Sequence, residues 1–277
     1  DGYNLKAFRI HSESAKPKLR NGKKRPVWLQ HGLLDSSDTW MINEDKNCLA
    51  YFLANEGYDV WLGNSRGNKY SRAHKKYDLK TEDYWQFSFE QMGRFDLPAI
   101  SKKILDVTGA EKVSYIGHSQ GTSQMFASLC DEKTTEQMNR DLDMFIALGP
   151  VVYLANQGDK FLALAVNYNL EQLIKTIRFY ELLPGAQRNY FNLFTNLHSR
   201  FSKMFPNVSR ETFKLIAGSD PKYDNFDRIE TFVRHQPSGC SIRCLEHFKQ
   251  MILEDKKNPR FRKYDFGKEE NLKIYGT

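Results

Sequence analysis

The five residues Gly117-His118-Ser119-Gln120-Gly121 decide how this chain folds. They follow the β-branched and aromatic run 112–116 and precede residues 122–130, whose pattern indicates a helix. A strand, then G-x-S-x-G, then a helix is the context of a nucleophile elbow, in which a sharp turn lifts the serine hydroxyl clear of a sheet. Glycine is required on both sides because strand and helix approach too closely for side chains. An ordinary glycine-rich turn is the alternative.

Buried strands alternate with helices on both sides of this turn. Residues 26–30 form a continuous apolar run, typical of a strand buried on both faces of a parallel sheet. Residues 3–10 alternate enough to predict an edge strand. This alternation predicts an α/β fold with a mostly parallel, doubly wound sheet. Further strands are predicted at 58–62 and 144–150, and helices at 47–56 and 87–108.

The loop 31–37 follows the apolar strand, at the sheet edge where ligands bind in such folds. A loop that begins His-Gly at this place supplies a second oxyanion N–H in elbow-containing enzymes. The other donor is the backbone N–H of the residue after the nucleophile, here Gln120. The two motifs together therefore predict an acyl-transfer site built on Ser119.

The pattern changes after residue 152. Residues 153–235 carry aromatic and leucine residues at helical spacing, which predicts a helical cap over the Ser119 edge of the sheet. More core helices are the alternative. Residues 236–277 are predicted to return to the core, with a helix over 239–255 and strand-like material at 272–275. The predicted domains are thus 1–152, 153–235 and 236–277.

Composition excludes several classes of function. The chain has 277 residues, 41 basic and 34 acidic, and its net charge is +7. Its basic runs, 16–25 and 256–263, are typical of solvated loops, with contact to anionic lipid headgroups as the alternative. Basic and aromatic residues do not alternate as in a nucleic-acid module. The four cysteines lack zinc spacing, and neither a metal nor a cofactor is expected. No signal peptide or transmembrane segment is present in the sequence.

The chain resembles the acid lipases of the α/β-hydrolase superfamily, which include the gastric and lysosomal acid lipases. The resemblance runs nearly from end to end and is strong up to Val152. It rests on the elbow and on five further stretches. These are residues 29–34 with Ser36, Ser37 and Trp40, residues 57–68, residues 87–89 with 96–99, residues 235–239, and residues 264–267.

This resemblance implies hydrolysis of neutral-lipid esters, triacylglycerols or sterol esters, through an acyl-enzyme on Ser119. The backbone N–H groups of Leu33 and Gln120 would form the oxyanion hole. The aspartate and histidine of the triad are expected beyond Thr277, so that the chain would be a fragment that lacks both ends, including its C-terminal strands. The expected partners are the lipid ester and a lipid–water interface, and the expected compartment is secreted or lysosomal.

Other interpretations remain open. Asp220 followed by His247 has the order of a triad acid and base, although His247 is predicted on a helix and motif order alone is weak support. We expect His118 to be structural and His31 to order the oxyanion loop. The alternatives for function are a non-catalytic lipid-binding or incomplete hydrolase, and a carboxylesterase for small substrates.

Overall fold

A mixed five-stranded sheet forms the centre of the computed structural model, which describes residues 1–156, 180–183, 220, 222 and 224–276. The strand order is β2-β6-β5-β8-β9, and only β2 runs antiparallel to its neighbour. The strands are β1 (Tyr3–Asn4), β2 (Phe8–Ile10), β3 (Leu19–Arg20), β4 (Lys23–Lys24), β5 (Pro26–Gln30), β6 (Asp59–Gly63), β7 (Ala73–His74), β8 (Val113–His118), β9 (Leu142–Leu148), β10 (Glu181–Leu182) and β11 (Cys240–Ser241).

Helices flank this sheet and follow its strands. The bounds of the α-helices are α1 (Leu49–Asn55), α2 (Phe89–Gln91), α3 (Leu97–Thr108), α4 (Gln120–Cys130), α5 (Thr135–Asp141), α6 (Ile229–His235), α7 (Ile242–Ile252) and α8 (Lys268–Tyr275). Along the part of the chain that the structure describes, no helix is both long and apolar enough to cross a bilayer.

The two faces of the sheet bury separate apolar clusters. Trp28 packs on one face with residues of α3, α4 and α5, whereas its neighbours Val27 and Leu29 pack on the other with residues of α1. Side chains of a strand point alternately to opposite faces, so a strand covered on both sides is apolar throughout. The doubly wound α/β sheet predicted from the sequence is confirmed.

The helix predicted over 87–108 is interrupted. After α2, residues Met92–Asp96 form a π-helical segment before α3 begins. A methyl group on Gly93 would lie 2.5 Å from the Gln124 carbonyl oxygen, so this segment touches the backbone of α4. The wide turn therefore occurs where two helices are in backbone contact, which apolar periodicity does not reveal.

The strand-like interpretation of residues 272–275 is wrong, because these residues end helix α8. Glu269 and Glu270 occupy its first turn, where negative side chains favour helix formation.

The helical residues that predicted the cap lie outside the described residues. Within the predicted cap, β10 pairs antiparallel with β11, and α6 leads into residue 235.

The basic hairpin formed by β3 and β4 lies at the end of the sheet opposite to Ser119. It precedes β5 directly, and Arg20 and Arg25 both contact the Asp143 carboxylate near the start of β9. These two arginines are thus partly neutralised within the fold. The amino ends of parallel strands lie far from the edge at which the elbow turns.

A buried ion pair fastens the loop after β6 to the end of the π-helical segment, directly before α3. The Arg66 Nε donates to Asp96 Oδ1 at 2.7 Å, and its backbone N–H donates to Oδ2 at 3.0 Å. Both side chains are almost fully buried, with exposures of 2% and 1%. The guanidinium also lies 4.1 Å from the Tyr3 ring centre and donates to the Asp1 carboxylate.

We predict that Arg66→Met lowers the free energy of unfolding by about 3–5 kcal/mol, because it leaves the Asp96 carboxylate buried without its cation. Adding Asp96→Asn should recover part of that loss. Urea unfolding measures both. Lys102→Met is the control, since the Lys102–Asp106 pair is exposed and should contribute no more than about 1 kcal/mol. Equal losses in the two Met variants would contradict the prediction.

Candidate active site

The backbone at Ser119 has the conformation expected of a nucleophile elbow. Its φ is +50° and its ψ is −118°, a region that residues with a side chain rarely adopt. Ser119 sits between the end of β8 and the start of α4. Its N–H donates to the Leu148 carbonyl at 3.0 Å, and its own carbonyl accepts the Thr122 N–H at 2.8 Å. The strained turn is therefore held from both neighbouring elements.

Glycine is required on both sides of Ser119 for the reason that the sequence suggested. A methyl group on Gly121 would lie 2.6 Å from the Gln30 carbonyl oxygen and 2.9 Å from that of His31. A methyl group on Gly117 would lie 2.9 Å from the Gly121 backbone. Such distances are well below van der Waals contact, so α4 could not approach β5 with any larger residue here.

The loop 31–38, which we call the oxyanion loop, lies directly against the elbow. A methyl group on Gly32 would be 3.1 Å from the Ser119 Cβ, so the loop backbone passes beside the serine. Within the described part of the chain, neither the Leu33 N–H nor the Gln120 N–H donates a hydrogen bond. Gln120 is the first residue of α4, where N–H groups have no partner inside the helix. Both groups are free to meet an anion.

A neutral imidazole fixes the conformation of this loop. His31 is buried, and its Nε2 accepts the Ser65 N–H and the Asn68 Nδ2–H, each at 3.1 Å. An acceptor at Nε2 leaves the proton on Nδ1, which donates to the Gly32 carbonyl at 2.8 Å. In a trans peptide the N–H points away from the C=O, so this bond turns the Leu33 N–H away from His31. His31 orders the loop as the sequence suggested.

Burial keeps this imidazole uncharged. It lowers the pKa of His31 to about 4. A proton on Nε2 would also face the Ser65 N–H, which that nitrogen accepts in the neutral form. The histidine therefore works as a two-sided hydrogen-bonding group and not as a base.

None of the described histidines hydrogen-bonds to the Ser119 hydroxyl. His118 is exposed on the strand side of the turn, with its ring edge against Trp40. His247 is buried in α7, where Nδ1 pairs with Ser88 Oγ at 2.9 Å and Nε2 with the Arg262 carbonyl at 2.8 Å. Asp220 is exposed and accepts the N–H groups of two neighbouring residues, so no contact joins it to His247.

Sequence reasoning missed a polar cluster beside the oxyanion loop. Asp38 is buried and accepts from Lys69 Nζ at 2.6 Å, from the Tyr70 hydroxyl at 2.8 Å and from His235 Nδ1 at 2.6 Å. Asp38 and His235 are separated by 197 positions in the chain. The only sequence signal was that His235 falls in a stretch used for the family resemblance, and that Asp38 lies between Ser37 and Trp40, two residues used for the same resemblance.

A groove of about 500 Å³ runs beside the elbow. Trp40 and Leu148, two of its lining residues, connect it to the site: Trp40 contacts His118, and the Leu148 carbonyl accepts the Ser119 N–H. Phe232 of α6 also lines it. The groove is lined by both polar and apolar residues. Elsewhere among the described residues, no group of three or more His, Cys, Asp or Glu could hold a metal ion.

Two protein-family descriptions match the chain. Residues 25–225 match the family described as the alpha/beta hydrolase fold, and residues 1–44 match a partial alpha/beta-hydrolase lipase region. Among solved structures, the epoxide hydrolase of Bacillus megaterium in complex with an inhibitor aligns with a TM-score of 0.50. It is 12% identical, and the alignment covers 95% of this chain and 75% of that one, a likeness of fold alone.

Curated relatives are closer in sequence. Human lipase member K is 34% identical over 254 residues, which are 91% of this chain and 61% of that protein. Human gastric triacylglycerol lipase is 33% identical over 276 residues, which are 96% of this chain and 64% of that protein. The chain thus spans about three fifths of the length of these relatives.

We predict that His31→Gln flattens the pH dependence of stability. The folded pKa of His31 is about 4 against an ordinary 6.5, so the unfolded chain binds the extra proton and stability falls from pH 6.5 toward 4. Between pH 7 and pH 5, His31 should account for about 2 kcal/mol of this loss. Glutamine keeps a donor and an acceptor but does not titrate.

The measurement is urea unfolding of both proteins at pH 7 and pH 5. Other titrating groups, such as Asp35 with its pKa raised to about 6 by burial, are common to both and cancel in the difference. A variant as pH-dependent as the wild type would show that His31 does not titrate in this range.

Proposed function

The chain belongs to the acid lipase family of the α/β-hydrolase superfamily, and from this premise we propose that it hydrolyses carboxylic esters of neutral lipids through an acyl-enzyme on Ser119. Triacylglycerols and sterol esters are the proposed substrates. The observation that carries the proposal is the strained Ser119 turn, with two free backbone N–H groups beside it.

The proposed reaction uses these groups in turn. The Ser119 Oγ attacks the ester carbonyl carbon, and the carbonyl oxygen gains negative charge as the new bond forms. The N–H groups of Leu33 and Gln120 stabilise that charge, which is present in the transition state and absent from the bound ester. A base takes the Ser119 proton and passes it to the alcohol oxygen as the ester C–O bond breaks, and the alcohol leaves. Water then loses a proton to the same base and attacks the acyl carbon, and the fatty acid is released as that proton returns to the Ser119 oxygen.

A serine hydroxyl needs a base, since it is a weak nucleophile at neutral pH. We expect that base, with its aspartate, beyond Thr277, in the order Ser, Asp, His. The structure of the sheet supports this expectation. β9 forms one edge of the described sheet and leaves Met144, Ile146 and Leu148 exposed along it. Further strands could pair there, next to Ser119.

The proposed setting is a lipid–water interface in a secreted or lysosomal compartment. Contact through the basic hairpin would not bring Ser119 to that interface, because the hairpin lies at the end of the sheet opposite to Ser119. Access would instead be through the groove at Trp40 and Leu148. A cap formed by residues 153–235 remains part of this proposal.

In the complete polypeptide that contains this chain, we predict that a fluorophosphonate labels Ser119 and that Ser119→Ala removes both labelling and ester hydrolysis, the latter by several orders of magnitude. Ser114→Ala is the matched control, since it lies at the other end of the same strand. Mass spectrometry locates the adduct, and release of fatty acid measures hydrolysis. Labelling that survives in the Ser119→Ala protein would exclude Ser119 as the nucleophile.

His247→Gln should leave kcat per labelled Ser119 unchanged, because both ring nitrogens of His247 already bond Ser88 and the Arg262 carbonyl. If His247 were the base, its loss would cost about four orders of magnitude or more in kcat. Asp220→Asn provides the companion measurement. Loss of activity in both would favour the Asp220–His247 pair over a base beyond Thr277.

One other function has an observation in its favour. No described histidine bonds the Ser119 hydroxyl, as would be the case in a lipid-binding protein that keeps the fold without catalysis. Such a protein would bind an ester analogue but release no fatty acid. A carboxylesterase for small substrates would hydrolyse short soluble esters and leave long-chain ones intact.

A further inference from the structure

The oxyanion loop is held from a segment two hundred positions away. The Ser238 N–H donates to the Leu34 carbonyl at 2.7 Å, while the Gly32 carbonyl is held by His31. Leu33, whose N–H is the proposed oxyanion donor, therefore lies between two anchored carbonyls. Leu34 has a φ of +60°, which a residue with a side chain adopts only when its surroundings hold it there.

Lys69 connects the segment that carries Ser238 to the loop. Its backbone N–H donates to the Ser238 carbonyl at 2.8 Å. Its Nζ donates to the His235 carbonyl at 2.8 Å and to Asp38 Oδ2 at 2.6 Å. The Lys69 side chain thus joins the His235 carbonyl to Asp38 at the C-terminal end of the oxyanion loop, while its backbone N–H holds Ser238.

A second link runs in parallel with the first. Gln236 Nε2 donates to Asp35 Oδ1 at 2.9 Å, and that same oxygen accepts the Ser36 N–H at 2.7 Å. The segment 235–238 therefore contacts the loop at Leu34, Asp35 and Asp38. A displacement of the segment would be transmitted to all three positions.

The burial of Lys69 points to a geometric role. Its side chain is 8% exposed and that of Asp38 7%. Removing two charges from water costs several kcal/mol per ion, so apolar side chains of similar size could stabilise the fold as well. A buried pair does provide directional bonds that apolar contacts lack. Asp38 also bonds Tyr70 and His235, which leaves its carboxylate fully satisfied.

We propose that Lys69 is a positioning residue for the oxyanion hole, its ammonium acting through Asp38 and the His235 carbonyl on the Leu33 N–H. The inference rests on the proposed function, since it assigns Lys69 to the same reaction. Lys69 touches neither Ser119 nor the ester in this scheme. It keeps the Leu33 donor where charge develops on the ester oxygen.

A displaced donor has a specific kinetic signature. The oxyanion is stabilised in the transition state, and the bound ester gains little from the same N–H. Losing one donor outright commonly costs about 10²–10³ in kcat. A misplaced donor should cost less, with KM nearly unchanged, because KM reflects contacts made equally in the ground state.

The experiment compares Lys69→Met, Lys69→Arg and Asp38→Asn in the complete polypeptide that contains this chain. The substrate is p-nitrophenyl butyrate, and rates are divided by the amount of Ser119 titrated with a fluorophosphonate. We expect Lys69→Met to lower kcat about 10- to 100-fold with little change in KM. Lys69→Arg should restore most of it, since a guanidinium can donate to both acceptors.

The control is Lys102→Met, which removes an exposed lysine on α3. If Lys69→Met melts at a lower temperature but keeps the wild-type kcat per titrated Ser119, Lys69 is merely structural and the inference is overturned. Should that variant fail to fold, Asp38→Asn supplies the same readout with the side-chain shape preserved.

The double variant Lys69→Met with Asp38→Asn tests the shared path. A loss no larger than that of the more damaging single variant supports one bridge, whereas fully additive losses overturn it. A wild type that releases no p-nitrophenol and takes up no fluorophosphonate would refute the proposed function itself. That result is distinct from an active wild type whose Lys69 variants are unaffected.

Discussion

The contact between Gly121 and the carbonyl oxygens at the end of β5 is the constraint on which the rest of the site depends. Because no side chain separates them, α4 starts within contact distance of the residues that open the oxyanion loop. Ser119 must then turn within one residue, and its φ of +50° is the result. The proximity of serine and loop is thus a consequence of backbone packing, before any polar group is considered.

Hydrogen bonds then fix how these neighbouring segments are oriented. The carboxyl ends of β5 and β6 are joined by His31 and Ser65, and that of β8 is joined to β9 by the Ser119 N–H. Each bond has a fixed donor and a fixed acceptor, so the neutral state of His31 is part of the architecture. The ion pair of Arg66 with Asp96 then fastens the loop after β6 to the π-helical segment that precedes α3.

Local patterns predicted the elbow and the doubly wound sheet, because each depends on residues close in the chain or on strand periodicity. The hydrogen bonds of His31 are local only at Gly32, since its other partners, Ser65 and Asn68, lie 34 and 37 positions away. The strand predicted at 272–275 was wrong, because the prediction rested on the apolar residues of this stretch. Glu269 and Glu270, which favour a helix start, lie just before it. The π-helical segment that begins at Met92 was not predicted, because it occurs where the chain contacts the backbone of α4 and the apolar spacing does not show that contact. The cluster of Asp38, Lys69 and His235 could not be predicted from the sequence, because its members lie far apart in the chain and no motif relates their positions.

The Ser119 N–H donates to the Leu148 carbonyl, so the nucleophile elbow is hydrogen-bonded to β9, the edge strand of the described sheet. Edge strands open more readily than central ones, and amide protons exchange with solvent when they do. The amide of Ser119 should therefore report on fraying of β9, while the amides at the centre of β5 report on the whole fold. Anything that adds a strand to this edge would slow deuterium uptake at the serine, even though it never contacts the hydroxyl.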